Sequence, residues 1–445
     1  MSLRRRKLWS AAGAVVAASL VLSSCGGSGG DNEESDGKAH VIFWQQKFED
    51  YQQEWFKQHV DDFNASQDEV EVEYVVVPAE AWQQKLKAAQ AAGNQPDVAT
   101  TNYGGIRPGA ASGQFMPLDG LLPEDRFADI KDNVKEFVTV DDKHYAYPML
   151  VEPSTVLYYR TDLAKAAGLD PDSPPTTWDE LVSWAEALTD GKTKGMTIAS
   201  TQGDLAWSSW GLQLNACGDF PLRGDWSSAD ATDPCYADLI DLYTRLYQGG
   251  FMPETPKVAY PDALPYGEGE VAMMANGSWA IGQLKNDFPD LVDKTAVAPF
   301  PSIDGDETKP TATLGGWTLT VDGKADDPEA AAAFIDYLVA GDPEIMADFF
   351  KMSGLSKYTV RTSVDEVLAN DPKAKEDPFM QTISDQVVPY GMPEPAYPID
   401  ISNAMATAIE SVMKGSASAE DALATANDAM DEIIEKQGLA GAGEG

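Results

Sequence analysis

Histidine, cysteine and positive charge are scarce in this sequence, and each shortage excludes a kind of function. The 445 residues include three cysteines and three histidines, and His40, His59 and His144 lack ligand spacing relative to the cysteines, so we expect no bound metal. Lysine and arginine number 32 against 72 aspartates and glutamates, a formal net charge of −40. Because such a surface repels phosphate backbones, the composition argues against nucleic-acid binding.

Motifs of common enzymes are also missing. No Gly-x-x-x-x-Gly-Lys phosphate loop occurs, and three histidines leave little material for a catalytic triad. Glycoside hydrolysis would need two carboxylates held across a cleft, and no motif marks such a pair. We therefore predict that the protein is not an enzyme and needs no cofactor.

Long apolar runs are absent as well. Residues 11–22 form a run of about a dozen residues, too short to span roughly 30 Å of bilayer hydrocarbon. This run follows the basic residues 4–7 and closes on Leu-Ser-Ser-Cys25, which resembles a bacterial lipobox. We predict a signal peptide over residues 1–24 and lipidation of Cys25; the alternative is an ordinary signal peptide with a coincidental cysteine.

The segment after Cys25 supports the lipid anchor. Residues 25–38 are rich in glycine and serine and then acidic, without an apolar side chain after the cysteine, which is typical of a flexible tether. We therefore expect an extracytoplasmic protein that is attached to the cell membrane through its N-terminal lipid alone. With Cys25 modified, Cys217 and Cys235 remain, and two leftover cysteines in an exported protein usually pair, which predicts a disulfide.

The apolar pattern beyond the tether predicts an α/β fold. Val41–Trp44 and Val70–Val77 are predicted strands, while residues 51–65 and 82–92 carry apolar side chains at helical spacing. A third strand is predicted from residues 94–98. This β-α-β-α-β order predicts a parallel sheet with helices on both faces.

Further elements follow, and the length of the chain indicates two or more lobes. A capped helix is predicted to begin at Thr176–Leu181. The other predicted strands cover residues 145–148, 155–159, 296–300 and 317–321, and the other predicted helices cover residues 327–339, 403–413 and 419–436.

Short strings spread in order along the mature chain are similar to those of extracellular solute-binding proteins of carbohydrate ABC importers, the maltodextrin and multiple-sugar type. Each string is weak alone, and their joint order carries the resemblance. They are Gly93–Val98, Gly113–Asp119, Tyr145–Pro148, Leu157–Leu163, Ala167–Leu169, Pro175–Leu181, Gly269–Met274, Asn276–Trp279, Leu314–Gly316 and Glu329–Ala331.

The resemblance implies a two-lobed fold of the periplasmic-binding-protein type (type II), with a hinge between the lobes. By analogy, the first lobe comprises residues 39–150 and 298–345. The second comprises residues 151–297 and 346–445. The implied partners are a small carbohydrate and the transmembrane permease subunits of the importer, and the implied state is a monomer.

A sugar presents apolar C–H faces and equatorial hydroxyls, so its site needs aromatic faces beside amides and carboxylates. Trp279, in the string Asn276–Trp279, is where the family presents a stacking aromatic; packing under the cleft is the alternative. Gly316 permits close approach of backbone to a ligand, and Trp317 follows it. The other aromatic candidates are Trp207 and Trp210, for which helix core is the alternative, and Tyr390 and Tyr397 in a Pro/Gly-rich loop.

Polar candidates follow the strands of the first lobe, where open α/β sheets place their ligands. They are Trp44, Gln45 and Gln46 after the first strand, and Asn102 and Tyr103 after the third. Glu152 lies where the chain is expected to cross between lobes, and maltose-type proteins carry a sugar-binding glutamate there. Ser402 and Asn403 stand where maltose binders have aromatics, which argues against a maltodextrin ligand.

Taken together, these features predict a lipoprotein substrate-binding subunit of an ABC sugar importer, which binds a mono- or oligosaccharide in the cleft between its lobes. The alternative is the same fold binding a solute other than a sugar, such as a glycerophosphodiester or a polyamine. A secreted enzyme and an adhesive lipoprotein are the rival classes, and the sequence offers neither of them a motif.

Overall fold

A computed structural model describes residues 37–371 and 377–443. The predicted signal peptide over residues 1–24, the lipidated Cys25 and the tether as far as residue 36 lie outside the described residues. Within the described ranges, the strands are β1 (Ala39–Gln46), β2 (Val70–Val77), β3 (Val98–Asn102), β4 (Thr139–Val140), β5 (Lys143–His144), β6 (Tyr147–Pro153), β7 (Val156–Arg160), β8 (Lys194–Thr197), β9 (Val271–Asn276), β10 (Thr295–Ala298), β11 (Thr313–Val321) and β12 (Met392–Pro393).

Helices connect these strands, many of them short. They are α1 (Asp50–Ser66), α2 (Trp82–Ala92), α3 (Ile106–Ala111), α4 (Glu124–Ala128), α5 (Asp132–Val138), α6 (Thr161–Ala166), α7 (Trp178–Leu188), α8 (Gln202–Ser208), α9 (Trp210–Cys217), α10 (Pro234–Gln248), α11 (Leu264–Gly267), α12 (Ala280–Asp287), α13 (Pro289–Val292), α14 (Pro328–Ile335), α15 (Pro343–Met352), α16 (Thr362–Leu368), α17 (Pro378–Gln386), α18 (Ile399–Met413) and α19 (Ala419–Gln437). A π-helical turn, Asp336–Ala340, continues α14.

The first sheet has the order β12-β11-β3-β1-β2, and β6 also pairs with β11. Strands β2 and β3 both run parallel to β1, as the opening β-α-β-α-β pattern predicts. Strand β11 instead runs antiparallel to β3 and β6, so the complete sheet is mixed. Strand β3 begins at Val98 rather than Asn94, because Pro96 has no N–H to give to a ladder and the Asp97 side chain accepts the Ile42 N–H at 2.8 Å.

The second sheet has the order β10-β7-β9-β8. All six residues of β9 are buried, which suits a strand covered on both faces. Helix α7 begins where the sequence predicts it: Thr177 caps the helix by accepting the Glu180 N–H, and Glu180 reaches back to the Thr177 N–H. Cys217, at the end of α9, and Cys235, in the first turn of α10, form a disulfide.

Each sheet has its own large apolar core. The first core cluster gathers buried residues between Val41 and Leu150 and between Leu319 and Leu368. The second core cluster gathers those between Val156 and Ala312 and between Phe379 and Ile434. Met346–Leu368, expected in the second lobe, thus contribute to the core of the first sheet. No helix of the described ranges combines the length and the apolar character needed to cross a bilayer.

Candidate functional site

The connection between β6 and β7 joins the two sheets and is tied firmly to β11. The Ser154 N–H donates to the Thr313 carbonyl at 2.9 Å, and the two side-chain hydroxyls are hydrogen-bonded at 2.9 Å. From the second sheet, the Tyr260 hydroxyl donates to the Ser154 carbonyl at 3.1 Å. The segment is therefore fixed to both sheets and lies beside the space between them.

Three aromatic rings pack together on the second-sheet side of this space. The ring of Trp207 in α8 lies 5.3 Å from the Tyr260 ring and 6.1 Å from the Trp279 ring. Trp279 is 7% exposed and donates its indole N–H to the Pro261 carbonyl at 3.0 Å, whereas Trp207 is half-buried. Because Trp279 and Tyr260 are buried, Trp207 is the most exposed ring of this group.

A smaller aromatic pair lies on the first-sheet side. Phe48 follows β1, and its ring centroid lies 4.9 Å from that of Trp317 in β11. Both residues are half-buried. Glu49 comes next in the chain and immediately precedes α1. The loop after β1 therefore brings an aromatic ring and a carboxylate to the carboxyl end of this strand, where open α/β sheets bind their ligands.

A buried ion pair lies near the end of β6, beside the connection to the second sheet. The Lys357 ammonium contacts the Glu152 carboxylate at 2.6 Å, and their side chains are 3% and 9% exposed. Although burial alone would lower the pKa of Lys357, the carboxylates of Glu152 and Glu49 raise it above its ordinary value. The lysine is therefore held charged by carboxylates from two different strand ends.

Glu49 is close to three charged side chains: Lys357, Glu152 and Asp262. Burial raises the pKa of its carboxyl; Lys357 lowers that pKa, while Glu152 and Asp262 raise it. Asp262 belongs to the segment next to Tyr260 and accepts a hydrogen bond from the Gln283 amide at 2.7 Å. The Glu49 carboxyl, after β1, and the Asp262 carboxyl, before α11, are therefore close to each other.

Glu394 adds a further carboxyl at the first sheet. It follows β12, and its Oε2 accepts the Gly104 N–H at 3.4 Å. Burial, helped by the Glu152 carboxylate and opposed by the Gly104 N–H, raises the pKa of Glu394 to about 7. The space thus combines aromatic faces, carboxyl groups and one ammonium, a set suited to stacking on a ring and pairing with hydroxyls.

The residues predicted after β1 are mostly engaged inside the protein. Gln45 is fully buried and accepts the Tyr74 hydroxyl at 2.9 Å. The Gln46 N–H donates to the Thr100 hydroxyl at 2.9 Å. Trp44 is half-buried and packs with a small cluster that includes Trp82.

Of the two residues predicted after β3, Tyr103 is buried and Asn102 is partly exposed. Tyr103 is 6% exposed and donates its hydroxyl to the Leu150 carbonyl at 3.0 Å, while Asn102 is half-buried. Gly316 has φ +149°, and a Cβ there would lie 2.2 Å from the Leu150 carbonyl oxygen. The glycine thus allows β11 to pass close to β6 rather than to a ligand.

The remaining predicted aromatics do not join the three-ring group. Trp210 is buried and donates its indole N–H to the Ser402 hydroxyl at 2.8 Å. Tyr397 is 5% exposed in the second core cluster, and Tyr390 is exposed. Of the predicted set, Trp207 and Trp279 are in ring contact, and Glu152 and Trp317 lie on the paired strands β6 and β11.

Sequence reasoning missed several groups that face this space: Phe48, Glu49, Tyr260, Asp262, Lys357 and Glu394. Phe48 and Glu49 belong to the loop that was already singled out after β1. Glu394 lies in the Pro/Gly-rich loop that was selected for its tyrosines. Lys357 carries no local signal, because its pairing with Glu152 depends on tertiary structure. Among the described residues, no group of three or more His, Cys, Asp or Glu side chains is arranged to hold a metal ion.

Comparisons with known proteins agree with this architecture. The chain is similar to a probable ABC transporter-binding protein of Deinococcus radiodurans, with 27% identity over 61% of this chain and 66% of that protein. It is also similar to the sn-glycerol-3-phosphate-binding periplasmic protein of Escherichia coli K12, with 26% identity over 64% of this chain and 68% of that protein. The chain thus spans about two thirds of the length of these curated relatives.

Among solved structures, the fold is similar to that of an ABC transporter solute-binding protein from Thermotoga lettingae, crystallised with α-D-tagatose. The TM-score is 0.76 at 25% identity, over 89% of this chain and 100% of that one. Residues 49–340 match the family described as bacterial extracellular solute-binding protein, and this range includes every strand of the two sheets except β1 and β12. The chain therefore belongs to the bacterial extracellular solute-binding proteins.

Proposed function

We propose that this protein is the substrate-binding subunit of an ABC importer and that it binds a mono- or oligosaccharide in the space between the two sheets, here called the cleft. The observation that carries the proposal is the half-buried ring of Trp207, which packs against Tyr260 and Trp279. An aromatic face stacks on the C–H face of a sugar ring, while carboxylates in the ring plane accept its hydroxyls. The tagatose-bound relative supports the same solute class.

Delivery follows from closure of two lobes that correspond to the two core clusters. On this definition the chain crosses between lobes at Ser154, before β11 and between α16 and α17. A solute held by both lobes favours the closed arrangement by population shift. An exposed ion pair between Lys87 in α2 and Asp400 in α18, 3.5 Å apart, already links the lobes across the cleft.

The glycerophosphodiester alternative draws support from the Escherichia coli relative, whose name specifies sn-glycerol 3-phosphate. The cleft itself favours a neutral solute. A phosphate would approach the carboxyls of Glu49, Glu152 and Glu394, and the ammonium that faces them, Lys357, is committed to Glu152 at 2.6 Å. Phosphate recognition instead uses arginine forks and helix N-termini that are free of carboxylates.

The location and partners follow from residues 1–38 and from the family. We assign residues 1–24 to an export signal and Cys25 to a lipid anchor, so that the monomer is held outside the cytoplasmic membrane beside its permease. The permease supplies the transmembrane path, and the closed protein docks on it and opens to release the solute.

A thermal-shift screen followed by calorimetry tests the solute class. The chain from residue 26 is screened with maltose, maltotriose, D-tagatose, D-mannitol, sn-glycerol 3-phosphate and spermidine. Binding to the folded state raises the melting temperature by mass action, so a saturable rise with a saccharide or polyol supports the proposal. A rise with only sn-glycerol 3-phosphate or spermidine contradicts the carbohydrate assignment.

A further inference from the structure

A short segment of extended chain connects the first sheet to α18 and passes the cleft. This segment, residues 391–398, is here called the strap. Its first part forms β12, which pairs in parallel with Thr313 and Leu314 of β11. Its last part buries Tyr397 in the second core cluster. The strap is therefore attached to the first sheet at its start and to the second core cluster at its end, and Glu394 lies between these two attachments.

At two backbone positions next to the strap, Gly315 and Gly104, there is no room for a side chain. A Cβ on Gly315 would lie 1.8 Å from the Glu394 Oε1, and a Cβ on Gly104 would lie 2.7 Å from the Pro395 carbonyl oxygen. Gly315 belongs to β11 and Gly104 follows β3, so Glu394 lies over the carboxyl end of β3. The strap can approach the backbone this closely only because both positions are glycine.

The electrostatic surroundings of Glu394 come from each element that packs against it. From β6, Glu152 presents a carboxylate that is itself paired with Lys357, and from the turn after β3, Gly104 presents an N–H. The Tyr103 phenol is also close, since Glu394 raises the pKa of that hydroxyl. Burial is the largest effect on Glu394 and raises the pKa of its carboxyl to about 7.

We propose that Glu394 contacts the bound solute directly and makes the affinity for a neutral solute depend on pH. The proposal rests on the proposed function, because it places the solute in this cleft. Glu394 is half-buried and lies at the carboxyl end of β3, where open α/β sheets bind their ligands. A protonated carboxyl donates one hydrogen bond and accepts another, which suits the hydroxyls of a sugar or polyol.

The direction of the pH dependence follows from desolvation. A neutral solute that closes over Glu394 removes the water that remains around it, which disfavours the carboxylate further. Binding therefore takes up a proton, and affinity falls as pH rises. If the protonated form alone binds, a group with a pKa of about 7 lowers the affinity about tenfold between pH 6 and pH 8.

Calorimetry on the chain from residue 26 tests this, with Glu394→Gln as the variant and Glu366→Gln, an exposed position on α16, as the matched control. Titrations at pH 7 in two buffers of different ionisation enthalpy count the protons taken up with each solute of the screen. We expect uptake of about half a proton with a neutral solute in the wild type and in Glu366→Gln, and none in Glu394→Gln. Glutamine remains neutral, so its affinity should not change between pH 6 and pH 8.

Two results overturn the proposal: binding without a linked proton in the wild type, or the same proton count in Glu394→Gln. If only a charged solute binds, the carbohydrate assignment fails, yet the contact is still judged by whether Glu394→Gln abolishes the linked proton. If no solute of the screen binds, the melting temperatures of the ligand-free wild type and Glu394→Gln are compared at different pH values. Because the folded pKa lies above 4.5, the melting temperature of the wild type should fall relative to Glu394→Gln from pH 5 to pH 8, and a constant difference contradicts the proposal.

Discussion

Replacing Lys357 by methionine should destabilise the protein strongly, because it leaves the Glu152 carboxylate buried without its cation. The Lys357 ammonium lies 2.6 Å from the Glu152 carboxylate, and the two side chains are 3% and 9% exposed. Glu49 is also close to this lysine and would then repel Glu152. Removal of one partner from a buried pair costs about 3–5 kcal/mol, most of it from the charge that remains in a poorly solvated place.

The assay is the free energy of unfolding measured by urea at pH 7, and the chain supplies a matched control. Lys57 and Asp61 form an ion pair one helical turn apart on α1, with side chains 68% and 57% exposed. The Lys57→Met variant removes the same chemical group and should change the free energy of unfolding by less than about 1 kcal/mol. The difference between the two variants therefore isolates the effect of burial.

A second variant separates a lost charge from lost packing. Lys357→Met combined with Glu152→Gln removes both charges and should recover most of the stability. A loss below about 1 kcal/mol in Lys357→Met, or a double variant no more stable than the single one, would refute this reasoning. The contribution of the pair should also persist up to pH 10.5 and disappear only above it, since the folded pKa of Lys357 lies above its unfolded value.

Three further predictions concern the cleft and the scaffold. Trp207→Ala should weaken solute binding by about 1–3 kcal/mol in calorimetry, whereas Trp207→Phe should retain most of the affinity; equal affinity in the folded alanine variant would remove Trp207 from the site. Gly316→Ala should lower the free energy of unfolding by about 1–3 kcal/mol, because its Cβ would meet the Leu150 carbonyl oxygen and its φ is +149°; an unchanged urea midpoint contradicts this. Replacing Cys217 and Cys235 with serine should cost about 3 kcal/mol of stability, since the bridge closes a loop with a sequence separation of 18, and reduction of the wild type should reproduce the loss.

Local sequence pattern predicts many of the elements well, because their boundaries are written in adjacent residues. Strand β2 and helix α2 have the predicted limits, Val70–Val77 and Trp82–Ala92. The limits of β11 were harder to predict, since its first half includes Gly315 and Gly316, which weaken a strand pattern. Their use is visible only when β6 and Glu394 lie against them.

The site was predictable where it follows a strand end and unpredictable where it depends on distant pairing. Trp279 is predicted from a family string and Trp207 from its spacing to Trp210, but the burial of Trp279 depends on the Pro261 carbonyl that accepts its indole N–H. The sequence predicts that the Gln45 amide binds a sugar hydroxyl. In the structure its side-chain oxygen instead accepts a hydrogen bond from the Tyr74 hydroxyl, which lies on the neighbouring strand. Pairing of this kind leaves no mark on either residue alone.

The antiparallel contact of β11 with β3 has a consequence for how the chain folds. Thr101 and Thr320 lie 219 residues apart, yet their hydroxyls are 2.9 Å apart. Synthesis proceeds from the N-terminus, so the first sheet lacks a central strand until most of the chain has been made. Folding that waits for such non-local contacts is slow. We therefore expect the first half of the molecule to remain incompletely folded until β11 has been synthesised.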